Sequence, residues 1–242
     1  MEREAYIEMY ASENSHWWFV ARRLVLQKII GHYFADNKQA KVLEVGCGSG
    51  GNLRMLSTFG KIFAMELDDE ARSMANNKNL CHVKKGKLPN DLPFDESFDL
   101  ICILDVLEHI DDDLGALKAL KNKLNNNANL LITVPAYRFL WSAHDVSNHH
   151  KRRYSKQQLM DVVTKSGLKI NYITFFNSFL FPVVALVRIV NNIIGKTTGS
   201  DVSMPPKLVN NVLKSVFASE RLLLPIVSFP FGVSILVIAS AS

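Results

Sequence analysis

Four glycines, Gly46, Gly48, Gly50 and Gly51, stand directly behind the short apolar run Val42-Leu43-Glu44-Val45. A strand that turns tightly into a helix needs such residues, because glycine takes positive φ and lets the backbone approach a ligand that a Cβ would hold away. The free N–H groups and positive dipole end of the following helix then face that ligand, so the turn reads as a cradle for a nucleotide-type molecule. Gly46, Gly48 and Gly51 also satisfy the general dinucleotide spacing G-x-G-x-x-G. Two acids accompany the turn. Glu44 lies two residues before Gly46, and Glu66 closes a second strand-like run, KIFAME. A carboxylate at that second place can accept a pair of hydrogen bonds from ribose hydroxyls; the competing reading is an ordinary exposed charge at a strand end.

A second group of reactive side chains fills residues 137–154, YRFLWSAHDVSNHHKRRY, which hold three of the seven histidines. The segment follows a strand on the side where ligands of open α/β sheets gather, so it can cover an acceptor. Histidine, with an ordinary pKa near ~6.5, suits the removal of a proton. His144 beside Asp145 is the first candidate base, and His149 or His150 the second. Arg152 and Arg153 suit a carboxylate or phosphate on the acceptor, with Tyr137 and His149 beside them. The alternative is a solvated basic loop in which His144 bonds locally. Upstream, the apolar run 97–104 fits a central parallel strand and leads into Asp105-Val106-Leu107-Glu108-His109, which puts Asp105 near the reacting centre. No metal site is expected. Asp111, Asp112 and Asp113 are consecutive at a helix start and do not converge, and the three cysteines, Cys47, Cys81 and Cys102, show no ligand spacing.

Four stretches in order, LEVGCGSG, AMELD, LPFDESFDLICILDVLEHI and FGVSILVIA, together resemble the class I S-adenosylmethionine-dependent methyltransferases. The resemblance implies that Gly46, Gly48 and Gly50, with Cys47, hold the methionine portion of S-adenosylmethionine. It implies further that Glu66, with Leu67 beside it, holds the ribose and that Glu44 orients the loop. The family often has an acidic or hydroxyl side chain along the adenine, where this chain has Gly86-Lys87-Leu88, so backbone groups and Leu88 are the expected contacts. Leu104 or Asp105 would face the cofactor's ammonium, and Glu108 and His109 would support the loop from a helix start. An N-terminal helix in the family often closes over the site, which makes Trp17 and Trp18 of His16-Trp17-Trp18-Phe19 candidates for a lid, against the alternative that they pack the helix onto the sheet. Enzymes that methylate base amines carry two prolines and an aromatic where this chain has Val106-Leu107-Glu108, which argues against nucleic acid. The HWWF segment and the HD…H…RRY loop resemble a bacterial subgroup with an unidentified acceptor. A nicotinamide-dependent oxidoreductase shares the glycine spacing, but no Tyr-x-x-x-Lys pair stands in the expected place; a non-catalytic cofactor-binding scaffold is the other alternative.

Positioning these residues calls for an α/β fold: a Rossmann-like, seven-stranded, mostly parallel sheet with an antiparallel last strand, helices on both faces, an N-terminal helical lid and a helical insertion. The expected divisions are the lid at 1–38, the cofactor-binding core at 39–177, the insertion at 178–228 and the last strand at 229–242. Helices are expected over 2–12, 17–35, 68–79, 114–124, 155–166, 179–194 and 207–224. Later strands are expected over 80–83, with His82 on its surface, then 97–104, 129–135, 168–176 and 231–241. The sixth strand is expected to pair beside the fifth, with the last inserting antiparallel next to it. A hydrophobic share of 48% with 21% charged residues excludes disorder, and a net charge of +5 permits attraction to anions. The charged N-terminus is no signal peptide, which points to the cytoplasm. Residues 222–242 carry no charge, yet Pro225, Pro230 and Gly232 interrupt them, so a buried strand is expected rather than a membrane span. The insertion offers a wall for a small-molecule or lipid-like acceptor methylated at oxygen, a dimer surface, or peripheral contact with a membrane through residues 179–190.

Overall fold

The computed structural model describes residues 3–34, 39–194 and 203–241. The chain begins with helices α1 (Arg3–Ser12) and α2 (Trp17–Tyr33), then alternates through β1 (Lys41–Val45), α3 (Leu53–Leu56), β2 (Lys61–Glu66), α4 (Asp69–Asn76) and β3 (Val83–Lys85). It continues with β4 (Phe98–Leu104), α5 (Asp113–Lys121), β5 (Leu124–Pro135), α6 (Ala143–Ser147), α7 (Lys156–Lys165) and β6 (Leu168–Phe176). Helices α8 (Phe181–Ile193) and α9 (Lys207–Ser219) precede the last strand, β7 (Ser234–Ala241).

The seven strands form one sheet in the order β3-β2-β1-β4-β5-β7-β6, with β7 antiparallel to both neighbours and the other pairings parallel. The order reverses between β1 and β4. A crevice opens there at the carboxyl ends of the strands, and it is the one place where the glycine loop after β1 and the Asp105 turn after β4 must meet. The central strands are continuously apolar because helices cover them: from Leu100 to Leu104 no residue of β4 is more than 7% exposed.

Several boundaries differ from the sequence expectation. Strand β3 starts at Val83, whose N–H is taken by the Asn76 side chain at 2.9 Å, and His82 stands exposed before it. Residues 125–127 open β5 instead of ending the preceding helix, because Leu124 pairs with Phe98 and Asn125 donates to Asp99 at 2.7 Å. On the side away from β4, β5 pairs with β7, so the sixth strand touches the fifth only through the last. Gly31 lies within α2, and the break expected at 35–37 falls outside the described residues.

Helix α9 packs against α2: Trp17 meets Phe217 edge-on at 6.3 Å, and Asn210 bonds both the Trp17 N–H and the Ser15 carbonyl. The far end of this segment is fixed by Glu220. Its buried carboxylate accepts the N–H groups of Asn177, Ser178 and Phe179 at 2.8, 2.6 and 2.9 Å. Glu220→Ala removes the acceptor of three donors at once and is expected to destabilise the fold by about 3 kcal/mol, measured by denaturant unfolding, with Glu220→Gln costing less. Among the described residues no helix is long and apolar enough to cross a membrane.

Candidate functional site: a cleft at the strand crossover

A cleft of about 1320 Å³ lies over the carboxyl ends of β1, β2 and β4. Gly46 forms its floor at φ +67°, where a Cβ would come within 2.6 Å of Val106. Gly48, at φ +54°, has no atom within 4 Å of a Cβ position and opens onto the cleft. Its N–H donates to Glu66 Oε2 at 2.8 Å, and Glu66 Oε1 accepts the Asp68 N–H at 3.0 Å. Each oxygen keeps a further lone pair for a ligand in the cleft. The Tyr6 phenol from α1 lines the same wall; burial first, then the charges of Glu66 and Asp68, holds it protonated.

Two N-terminal residues reach into this site. Glu13, only 2% exposed, accepts the Ser49 hydroxyl at 2.7 Å and pairs with Lys78, so the glycine loop is held from above by the segment between α1 and α2. Arg22 of α2 donates to Asp105 Oδ2 at 2.6 Å and to Thr133 Oγ1 at 3.0 Å, with Trp18 stacked 5.2 Å away. Asp105 itself sits at φ +57°, and Tyr137 and Asn177 past β5 and β6 also have positive φ. Such backbone is disfavoured for residues with a Cβ and gathers where turns are over-determined by function.

Part of the cleft lining is a network about His150. Asp145, fully buried, accepts His150 Nδ1–H at 2.8 Å, Arg153 Nε–H at 2.7 Å and the Ser142 N–H at 2.9 Å. Burial would raise the Asp145 pKa, but the hydrogen bonds from His150 and Arg153 and the Arg153 charge outweigh it and hold the carboxyl well below the usual range. Glu108 is fully buried as well, and burial followed by the nearby Asp105 charge pushes it well above the usual range. Burial, reinforced by His150, lowers His109 to about 4, which leaves a neutral imidazole at pH 7.

The family model of the methyltransferase domain matches residues 19–173, the greater part of the chain. The chain belongs to this family. An uncharacterized methyltransferase of Staphylococcus carnosus is 31% identical over 101 residues, covering 40% of this chain and 48% of that one. A tRNA U34 carboxymethyltransferase of Campylobacter hominis is 30% identical over 106 residues, covering 41% and 37% respectively. The chain thus spans about half or less of the length of these curated relatives. The solved structure of a S-adenosylmethionine-dependent methyltransferase from Thermotoga maritima shares the fold, with a TM-score of 0.58 at 19% identity over 98% of this chain and 99% of that one.

The cleft of this methyltransferase domain fits S-adenosylmethionine: it has an open backbone cradle at Gly48, a carboxylate with spare lone pairs at Glu66, and apolar Leu88 in its lining. Cys47, Leu67, Leu104, Asp105, Trp17 and Trp18 also line the cleft, whereas Glu44 and Gly50 lie behind it. Glu44 accepts Asn52 Nδ2–H at 2.8 Å, its second oxygen is buried without a partner, and burial pushes its pKa up to about 7. A carboxyl raised in this way favours the folded state at low pH and loses that contribution as pH climbs from about 4.5 to about 7. Glu44→Gln is therefore expected to gain on the wild type by up to about 3 kcal/mol between pH 5 and pH 8, read as the pH dependence of the difference in Tm.

The covering loop differs more. His144 and Asp145 do not bond each other: His144 contacts Asn148 and lines the cleft, while Asp145 turns inward to His150. His149 is exposed and outside the cleft lining. Tyr137 stacks on Phe175 at 5.2 Å, away from the cleft, and Arg152 is held by Asp113 at 2.8 Å. Arg153 lines the cleft but is committed to Asp145 and the Ala136 carbonyl. Glu13, Tyr6 and the link from Arg22 to Asp105 escape a reading of the sequence. They come from far along the chain, and only the density of charge before HWWF hints at them.

Proposed function

We propose that the protein transfers the sulfonium methyl of S-adenosylmethionine to an oxygen of a small, partly apolar, lipid-like acceptor. The observation that carries this reading is the continuity of the cleft. Gly46, Gly48 and Glu66, then Asp105, Glu108, His109 and His150, and the apolar Leu180, Val183, Val184, Val187 and Leu213 all line this one cleft. The cofactor supplies a methyl group on a positively charged sulfur that leaves as a neutral thioether. The chain's part is to hold, align, exclude water and handle the acceptor's proton.

In this reading Glu66 accepts the ribose hydroxyls, the Gly46–Gly48 backbone receives the methionine end, and Leu88 lies against the adenine. Arg22 keeps the Asp105 carboxylate turned toward the ammonium. Helices α1 and α2 act as a lid, with Trp17 and Trp18 shielding the reacting atoms, and α8 and α9 wall the acceptor; the remainder of 1–38 and of 178–228 that falls at 1–2, 35–38 and 195–202 lies outside the described residues. The acceptor oxygen is activated at the cluster of Glu108, His109 and His150, with His144 alongside. Val183, Leu186, Val187 and Val190 of α8 are all at least 44% exposed, and this face would rest the cleft mouth on a membrane surface, Arg188 near the headgroups.

The test is to incubate the full chain with methyl-labelled S-adenosylmethionine and either a total lipid extract or the matching aqueous metabolite fraction. Label entering the organic phase together with S-adenosylhomocysteine supports the reading. Label confined to aqueous products, or no product beyond background in either fraction, would contradict it.

A further inference from the structure

Glu108, His109 and His150 each offer a ligand atom, and the three atoms lie within 4.8 Å of one another. No spacing in the sequence marks them as a set, since the Leu107–His109 turn after β4 supplies two and the loop after α6 supplies the third. Neither carboxylate oxygen of fully buried Glu108 has a hydrogen-bond partner. Buried polar atoms normally find one, so this pair of oxygens faces a position that a ligand should occupy. His150 answers from across the gap. With Nδ1 engaged by the Asp145 carboxylate, Nε2 is the ring nitrogen left for a ligand, and it stands 3.9 Å from Glu108 Oε1. That is too long for a hydrogen bond, yet it matches two ligands that each sit about 2.0–2.2 Å from one shared cation. The His109 ring closes the third side, 4.7 Å from that of His150 and nearly perpendicular to it.

The support behind His150 has the same character. A carboxylate that receives the second N–H of a ligating imidazole fixes its tautomer and its aim. Asp145 does this while locked by Arg153 and Ser142.

We propose that Glu108, His109 and His150 form a binding site for a divalent first-row transition cation, open toward the cleft. One carboxylate and two imidazoles suit manganese, iron, cobalt or zinc, whereas calcium and magnesium favour oxygen-only sets. Three protein ligands leave positions for water or an acceptor oxygen. Its role rests on the methyl-transfer reading. A hydroxyl bound there gives its proton to solvent more readily, its lone pair forms the new C–O bond, and the C–S electron pair returns to sulfur. Asp145 is then a positioning residue, acting through His150.

The experiment uses the full chain, stripped by a chelator and titrated with Mn²⁺ by electron paramagnetic resonance and with Zn²⁺ by calorimetry, both without S-adenosylmethionine. One ion per chain is expected. Glu108→Gln and His150→Gln should abolish saturable binding, Asp145→Asn should weaken it by about 10–100-fold, and Asp161→Asn, exposed on α7 and outside the cleft lining, should leave it unchanged. Should His150→Gln fail to fold, the near-isosteric Glu108→Gln carries the test. The site is overturned if the wild type binds no stoichiometric ion, or if Glu108→Gln binds as the wild type does. Titrating the same samples with S-adenosylmethionine separates this result from the methyl-transfer reading, since cofactor binding without ion binding removes only the metal site.

Discussion

Gly46→Ala is expected to lower S-adenosylmethionine affinity by about 100-fold or more, roughly 2.7 kcal/mol, with little change in far-ultraviolet circular dichroism. Two effects combine. The residue sits at φ +67°, where a Cβ costs about 1–2 kcal/mol. The added carbon would also stand 2.6 and 3.0 Å from the two Val106 methyls, forcing apart the turns after β1 and β4 that form the cleft floor. Because the obstacle is a side chain, Val106→Ala in the Gly46→Ala background should recover part of the affinity, leaving the backbone term alone. An affinity within threefold of wild type in the single variant, measured by calorimetric titration, would show that the floor does not hold the cofactor.

The largest loss of stability is expected at Asp145. Asp145→Ala leaves the Arg153 guanidinium, whose side chain is 2% exposed, charged and without its carboxylate. Breaking a buried pair in this way costs about 3–5 kcal/mol, while Asp145→Asn keeps an acceptor and should cost less. The pH dependence gives a second check. The folded-state pKa of Asp145 is depressed, so its contribution is fully present above the ordinary carboxylate range and fades as pH falls through and below it. The gap between wild type and Asp145→Ala in denaturant midpoint should therefore narrow toward acid pH and stay constant above about pH 5. A gap independent of pH down to the acid limit of folding would mean that the Arg153 pairing contributes nothing.

The parts of the fold that are legible in the sequence are those governed by near neighbours along the chain. Strand β6 at Leu168–Phe176 follows its glycine as expected, and the glycine loop with Glu66 reads directly because turn, strand end and helix start are local. The rest depends on partners far along the chain. Residues 125–127 look like a helix stop until Phe98 and Asp99 of β4 are known to claim Leu124 and Asn125. The pairing of His144 with Asp145 rests on adjacency, but helical neighbours point about 100° apart, and α6 sends Asp145 to the interior. A local signal for that is present: Ser142 and Asp145 have the capping-box spacing, and the Ser142 N–H donates to the Asp145 carboxylate at 2.9 Å. Glu13 carries no signal of its own, since its role depends on α1 folding back over the loop.

The direct measurement of the central claim is calorimetric titration of the full chain with S-adenosylmethionine, wild type beside Glu66→Ala. A cleft built around Gly48 and Glu66 predicts one molecule bound per chain, with affinity at least about tenfold weaker, roughly 1.4 kcal/mol, once the ribose acceptor is gone. Equal affinity in the two proteins, or no binding by the wild type, would contradict it.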